Sequence, residues 1–210
     1  MLYSYIAIEG NIGAGKTTFA TRISEQINAQ LVLEEFAENP FLPPFYKEPD
    51  KYAFQLELSF LAERYQQILK ELSNRNLFYQ NIVSDYIIHK CLIFARTNLD
   101  KQTFSLYNQL YQLIIKSMPK PELVLYLHND TDRLLSNIKQ RGREYEQEIS
   151  ADYLKRINKN YMTFFRQQKK LRTVVVNTTE LDFVANEEDY NYLVDLTTRF
   201  YPTGITTINP

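Results

Sequence analysis

The chain has 210 residues, with 24 Lys and Arg against 25 Asp and Glu, and Cys91 is its one cysteine. That length suits one domain with a proper core. The balanced charge gives no global field to gather nucleic acid, and a lone cysteine excludes an internal disulfide or a zinc cluster. No basic leader with an apolar run opens the sequence, and no stretch approaches membrane-spanning length, so a cytoplasmic protein with no membrane partner is expected.

Taken in chain order, Tyr5–Ile8 reads as a short buried strand and Thr18–Ile27 as a helix. Between them Gly10-Asn11-Ile12-Gly13-Ala14-Gly15-Lys16-Thr17 fits the spacing G-x-x-x-x-G-K-[ST] without a gap, and Thr18 follows. The glycines let backbone N–H groups turn inward on phosphates, Lys16 adds a point charge, and the Thr17 hydroxyl suits Mg2+. The helix N-terminus adds its own attraction for an anion. A nucleoside triphosphate with magnesium is therefore the expected co-substrate.

Gln30–Leu33 is a second strand, ending at Glu34. The proline-rich stretch EFAENPFLPPFYKEP reads as a loop with no regular element. A long helix is expected from about Lys51 to Ser73. Asn81–Ser84 gives a third strand ending in Asp85, with helical segments to about Lys116, and Leu123–Leu127 gives a fourth. Helices near Thr131–Gln140 and Ala151–Gln168 flank RGREYEQEI; Thr173–Val176 is a fifth strand and Glu187–Phe200 a closing helix. Strands alternating with helices, several of them unbroken apolar runs, point to an α/β protein with a five-stranded parallel sheet covered on both faces. Residues 1–200 read as one domain, and Tyr201–Pro210, rich in Thr, Gly and Pro, as a loose tail. Ligands of such sheets sit outside the carboxyl ends of the strands, where Glu34, Asp85 and the glycine loop all fall.

Two further clusters draw attention. On the long helix, Arg64 lies almost directly beneath Glu57, about 10 Å along the axis, within a stripe of Ala53, Phe54, Phe60, Leu61 and Ile68. Charges inside an apolar stripe are costly unless paired or working, and convergent polar groups in an apolar pocket mark a site. Leu56, Leu58, Tyr65 and Leu69 make the same helix apolar on its other side, so it is enclosed by its own domain or packed on a second subunit. The turn Arg141-Gly-Arg143-Glu-Tyr-Glu146 puts two guanidiniums beside a flexible glycine, as a lid over a transferring phosphoryl group would.

These segments together resemble the deoxynucleoside kinases, in particular the bacterial deoxyguanosine/deoxyadenosine kinase branch. The matching stretches are IAIEGNIGAGKTT, EEFAENPFLPPFYKEPDKYAFQLELSFLAERYQQ, VSDYIIHKCLIFA, PKPELVLYL and RGREYEQEI, in order over most of the chain. The resemblance implies a P-loop fold with a short arginine-bearing lid, a homodimer, and Mg-ATP as donor to the 5′-hydroxyl of a deoxynucleoside. It implies that Glu34 is the catalytic base, that Arg64 lies near that base and the nucleobase, and that Tyr46 and Glu146 bind the sugar 3′-hydroxyl. Phe94 then stacks on the nucleobase, Arg141 and Arg143 are the lid arginines, and Asp85 is the acid near Mg2+. Phe183 belongs to the loop that closes over the ATP adenine. Two positions depart from the family pattern: Tyr86-Ile87 replaces the Arg-Ser of [DE]-R-S, and Asn137 stands where many relatives carry arginine.

Glu57 stands where many relatives have glutamine. An ionised carboxylate only accepts hydrogen bonds, and guanine offers two adjacent donors, N1–H and N2–H2. With Arg64 holding Glu57, and Lys90 able to reach O6 or N7, deoxyguanosine is expected first and deoxyadenosine next. The alternatives are a broader kinase favouring deoxyadenosine or deoxycytidine, a nucleoside monophosphate kinase, and a non-catalytic nucleotide-binding module. Lys47 is the sole basic residue from Phe36 to Pro49, which suits a neutral nucleoside better than a second phosphate.

Overall fold

A computed structural model of the chain describes residues 2–35, 39–73 and 79–210. The elements run β1 (Tyr5–Gly10), α1 (Lys16–Gln26), β2 (Gln30–Val32), α2 (Leu42–Lys47), α3 (Pro49–Ser73) and β3 (Ile82–Ser84). They continue α4 (Lys90–Asn98), α5 (Lys101–Ile114), β4 (Leu123–His128), α6 (Thr131–Arg141), α7 (Ala151–Gln167), β5 (Arg172–Asn177), α8 (Glu187–Thr198) and β6 (Gly204–Ile208). The strands form one sheet in the order β2-β3-β1-β4-β5-β6, every neighbouring pair parallel. Parallel strands need crossovers, which bury both sheet faces, so β1, β4 and β5 are apolar nearly throughout. One face packs Ile6, Ile8, Leu125 and Val174 against Phe19, Leu134 and Leu193; the other packs Val124, Tyr126 and Val175 against Ile157, Tyr161 and Phe165.

The sheet has six strands, not five. Residues 201–210, expected as a loose tail, supply β6, which pairs with β5 from Arg172↔Gly204 to Val176↔Ile208. The Thr and Ile of ITTI are good strand formers, and half-buried and exposed positions alternate along the strand as they do on a sheet edge with one face covered. The proline-rich stretch also holds a regular element: α2 carries Pro43 and Pro44 in its first turn, where N–H groups have no helical partner to lose. Pro49 opens α3 for the same reason. Phe36, Ala37 and Glu38, part of the expected loop, lie outside the described residues.

Polar side chains start the later helices: Asp100, Asp130, Ser150 and Asn186 accept backbone N–H groups at the N-caps of α5, α6, α7 and α8. α3 packs on α2, α4 and α5, and its later turns run back beside β2, where Gln67 donates to Leu33 O and Glu71 accepts from Gln30. Among the described residues no helix is long and apolar enough to cross a membrane.

Candidate active site

The ends of β1 and β3 are neighbours in the sheet, which brings the glycine loop and Asp85 to one crevice. Gly15 sits at φ +82°, a left-handed conformation, and an added Cβ would lie 2.6 Å from Phe183 Cζ. The loop is tied down from outside: Asn11 Nδ2 donates to Leu154 O at 2.9 Å and Asn158 Oδ1 at 2.8 Å, and Asn137 Nδ2 donates to Gly13 O at 2.8 Å. Asn137, at a position of departure from the family pattern, thus supports the loop rather than adding charge. Lys16 Nζ donates to Asn11 O at 2.8 Å. Burial, and then the neighbouring Lys90 charge, push the Lys16 ammonium down to about 8.

Asp85 links the loop to Glu34. Its Oδ2 accepts from Thr17 Oγ1 at 2.6 Å and its Oδ1 from the Glu34 backbone N–H at 2.7 Å. The Glu34 side chain is 7% exposed and lies between two cations: Arg64 donates to Oε1 through Nε at 2.9 Å and through Nη2, and Lys90 Nζ donates to Oε2. Burial alone would raise this carboxyl, but Lys90 and Arg64 outweigh it and hold the group well below the usual carboxylate range. The expected place of Lys90 at the base edge is therefore corrected. It pairs with Glu34, as the second cation beside Arg64.

Tyr86 has become a buried prop: its hydroxyl donates to Gln67 Oε1 at 2.7 Å, and Gln67 Nε2 donates to Leu33 O at 2.6 Å, next to Glu34. Glu9 is a functional-end residue that sequence reasoning missed. It is fully buried and accepts from the N–H groups of Gly10 (3.1 Å) and Ile87 (2.8 Å) and from Tyr161 Oη (2.8 Å), stitching β1 to the segment after β3. An acid just before a glycine loop, inside an apolar strand, was the available signal.

At the far end of the same cavity stands Glu57, 1% exposed. Its Oε1 accepts from Asn98 Nδ2 at 2.6 Å, while Oε2 is buried with no hydrogen-bond partner among the described residues. The expectation that Arg64 clamps Glu57 is corrected here. That guanidinium is spent on Glu34 and on Cys91, to whose Sγ it donates through Nη1 at 3.1 Å. Burial pushes the Glu57 carboxyl up to about 7 against the opposing pull of Asn98 and Arg64. Phe94 lines the cavity between the two acids, edge-on to Tyr161 and with Lys90 Nζ 5.4 Å from its ring centre.

Tyr46 and Glu146 also line the cavity. The Tyr46 ring stacks on Tyr145 with centroids 6.1 Å apart, and burial with the nearby Tyr153 and Glu146 raises its hydroxyl well above 10. Arg141, the last residue of α6, pairs with Glu146 Oε2, and Arg143 Nη1 reaches Glu146 Oε1 at 3.3 Å. Gly142, at φ +72°, reverses the chain between them. Both arginines, about one-third exposed, face the mouth of the cavity from this turn. Phe183 is buried edge-on to Phe19, with centroids 5.9 Å apart, and the tip of its ring lies against the phosphate loop at Gly15.

One cavity therefore joins a phosphate loop, an ionised acid beside it and a second buried acid at the opposite end. Comparison with known proteins accords with that arrangement. The chain matches the deoxynucleoside kinase family over residues 6–201. It is 36% identical over 191 residues to deoxyguanosine kinase of Bacillus subtilis (strain 168), covering 89% of this chain and 92% of the relative. It is 33% identical over 196 residues to deoxyadenosine kinase of Lactobacillus acidophilus, covering 86% and 88%. The structure of M. mycoides deoxyadenosine kinase with products dCMP and a flexible dCDP superposes with a TM-score of 0.80 at 29% identity, over 92% of this chain and 98% of that one. Fold, cavity and sequence together place this chain in the deoxynucleoside kinase family, as an enzyme that phosphorylates deoxynucleosides.

Proposed function

We propose that this kinase transfers the γ-phosphoryl group of ATP to the 5′-hydroxyl of a purine deoxynucleoside, deoxyguanosine first and deoxyadenosine next. The observation that supports the purine assignment is Glu57, a buried acid lining the cavity whose Oε2 has no hydrogen-bond partner among the described residues. A nucleoside laid between the two ends puts its sugar near Tyr46 and Glu146, its base between Phe94 and Glu57, and its 5′-hydroxyl at Glu34.

The chemistry then follows from charge and position. The phosphate loop, with Gly10 to Thr18, holds the donor, and Lys16 with Arg141 and Arg143 offsets charge on the transferring group. An all-oxygen pair suits a hard cation, so Thr17 and Asp85 would hold Mg2+, which supplies charge neutralisation on the phosphates. Glu34 is a weak base because Lys90 and Arg64 keep it ionised. A weak base is enough where the transition state is loose: the carboxylate orients the hydroxyl and takes its proton late. Arg141 and Arg143 must leave Glu146, at least in part, to reach the donor, which frees that acid for the sugar.

A homodimer is the assembly that fits the surface. Leu58 and Leu69 stand exposed on one face of α3, and Leu106 and Leu113 on one face of α5.

The test is a phosphorylation panel with Mg-ATP over deoxyguanosine, deoxyadenosine, deoxycytidine, thymidine and thymidine monophosphate. Highest kcat/KM for deoxyguanosine supports the assignment. A pyrimidine nucleoside in first place removes the purine reading, and activity confined to the monophosphate removes the role given to Glu34.

A further inference from the structure

Glu57 is an acid whose surroundings supply too little to keep it charged. The groups facing it come from every element around it. On α3, Arg64 is committed to Glu34 and Cys91. On α4, Lys90 is committed to Glu34, Cys91 lies under Arg64, and Asn98 supplies one neutral amide donor. On α5, the Tyr107 hydroxyl donates to the Glu57 backbone carbonyl at 3.4 Å, not to its carboxylate. On α7, Tyr153 stands near, with Arg156 beside its ring. A buried carboxylate with a single amide donor gains by taking up a proton.

Asn98 also decides where that proton goes. Its amide donates to Oε1, which makes Oε1 the carbonyl-like oxygen of the acid and leaves Oε2 to carry the hydrogen. The two forms present opposite faces to a base. Ionised Glu57 offers two acceptors, which match the paired N1–H and N2–H2 donors of guanine. Protonated Glu57 offers a donor at Oε2 beside an acceptor at Oε1, which matches N1 and N6–H2 of adenine.

We propose that Glu57 reads the base in two protonation states, ionised for guanine and protonated for adenine, with Asn98 as a positioning residue that fixes the proton on Oε2. One exchangeable proton then sets the purine preference of the enzyme. Burial places that titration near neutrality, at about 7. This rests on the reading above that the base meets Glu57.

The experiment is the ratio of kcat/KM for deoxyguanosine to kcat/KM for deoxyadenosine, measured on the wild-type enzyme from about pH 5.5 to about pH 8.5. Taking the ratio cancels groups that serve both substrates alike, including Glu34, Lys16 and the phosphate donor. The ratio of ionised to protonated acid changes tenfold per pH unit, so the preference is expected to climb by about tenfold per unit. Glu57→Gln, fixed as one donor and one acceptor, is expected to give a low ratio that no longer moves with pH. Asn98→Ala removes the donor to the ionised form and is expected to lower the ratio several-fold at every pH. A wild-type ratio constant within about twofold overturns the proposal. If Glu57→Gln nonetheless shifts preference toward deoxyadenosine, the base does meet Glu57 and only the proton is wrong. If Glu57→Gln leaves the ratio at the wild-type value throughout, the base does not meet Glu57 and the purine assignment falls with it.

Discussion

The cavity holds two buried glutamates that the fold treats in opposite ways. Glu34, at the phosphate end, is gripped by Arg64 and Lys90 and stays charged far into acid. Glu57, at the base end, has among the described residues one neutral amide donor and no partner on Oε2, and burial lifts it to about 7. The same side chain at similar burial thus serves two purposes, and the neighbours make the choice. Where a proton must be accepted from a nucleophile, the acid has to remain ionised at every working pH. Where a base is to be read, a group free to gain or lose a proton can match more than one partner. The difference also explains why Arg64, two helical turns beyond Glu57, turns away from it. Glu34 carries the charge that binds a guanidinium most strongly.

The largest effect should come from Glu34→Gln. Loss of a positioned proton acceptor is expected to lower kcat by about 10²- to 10⁴-fold with KM for the nucleoside nearly unchanged. Steady-state kinetics with deoxyguanosine decides it, and a kcat within threefold of wild type would erase the functional contrast between the acids. Glu57→Gln should leave the maximal kcat for deoxyadenosine close to wild type.

The second effect is on stability and separates the acids by sign. The folded-state value for Glu57, about 7, lies above its ordinary 4.5, so the native state holds an extra proton between those values. Stability therefore falls as pH rises from 4.5 to about 7 and is flat beyond, by about 3 kcal/mol in all. Glu34 runs the other way: its depressed value adds stability that is present above the ordinary carboxylate range and is lost as acid protonates it. Urea unfolding of wild type and Glu57→Gln at about pH 5 and pH 8.5 measures the first term. The variant should match wild type in acid and exceed it in alkali. Equal slopes for the two proteins would mean that Glu57 is no more perturbed than a surface acid.

Much of this arrangement was legible in the sequence, for reasons that are local. The phosphate loop declares itself by spacing, and apolar runs such as LVLYL are long enough to mark buried parallel strands. Glu34 and Asp85 were placed because each ends a strand, which is a one-dimensional fact. What was not legible depends on which charges meet in space. Arg64 lies under Glu57 on a helical wheel, yet it bonds to Glu34, from a different strand end, and to Cys91 of α4. Lys90 looked like a base contact by its place one turn before Phe94 and proved to be the second cation on Glu34. Asn98, the partner of Glu57, had no feature to single it out. β6 was missed because Thr, Gly and Pro read as loop until β5 is there to pair with.

Removing one hand of the grip on Glu34 gives a third, smaller effect. Lys90→Met leaves Arg64 in place, so the lost charged hydrogen bond should cost about 1.5–3 kcal/mol of stability rather than the larger figure for an orphaned charge. The acid limb of the kcat/KM profile should also move to higher pH, because the cation that does most to hold Glu34 ionised is gone. An unmoved acid limb would mean that Arg64 alone suffices, and that the pairing with Lys90 contributes packing only. Because the Lys90 charge also pulls the Glu57 carboxyl down, its loss should lower the guanine-to-adenine ratio at a given pH.

The smallest effect expected tests whether the contrast between the acids is confined to the cavity. β6 touches the sheet only along β5, at the edge remote from β1 and β3, and Ile208 is its one residue packed on the core. Ending the chain after Thr203 removes a half-buried isoleucine and one ladder of an edge strand, about 1–2 kcal/mol. The midpoint of thermal unfolding should fall by a few degrees, while kcat/KM and its pH dependence for both purines stay as they were. A changed pH profile in the truncated enzyme would show that Glu57 senses the sheet as a whole. An unchanged one places the control of its proton in the residues around it: Asn98 as the donor among the described residues, the nearby charges of Arg64 and Lys90, and the burial that α3, α4 and α7 impose.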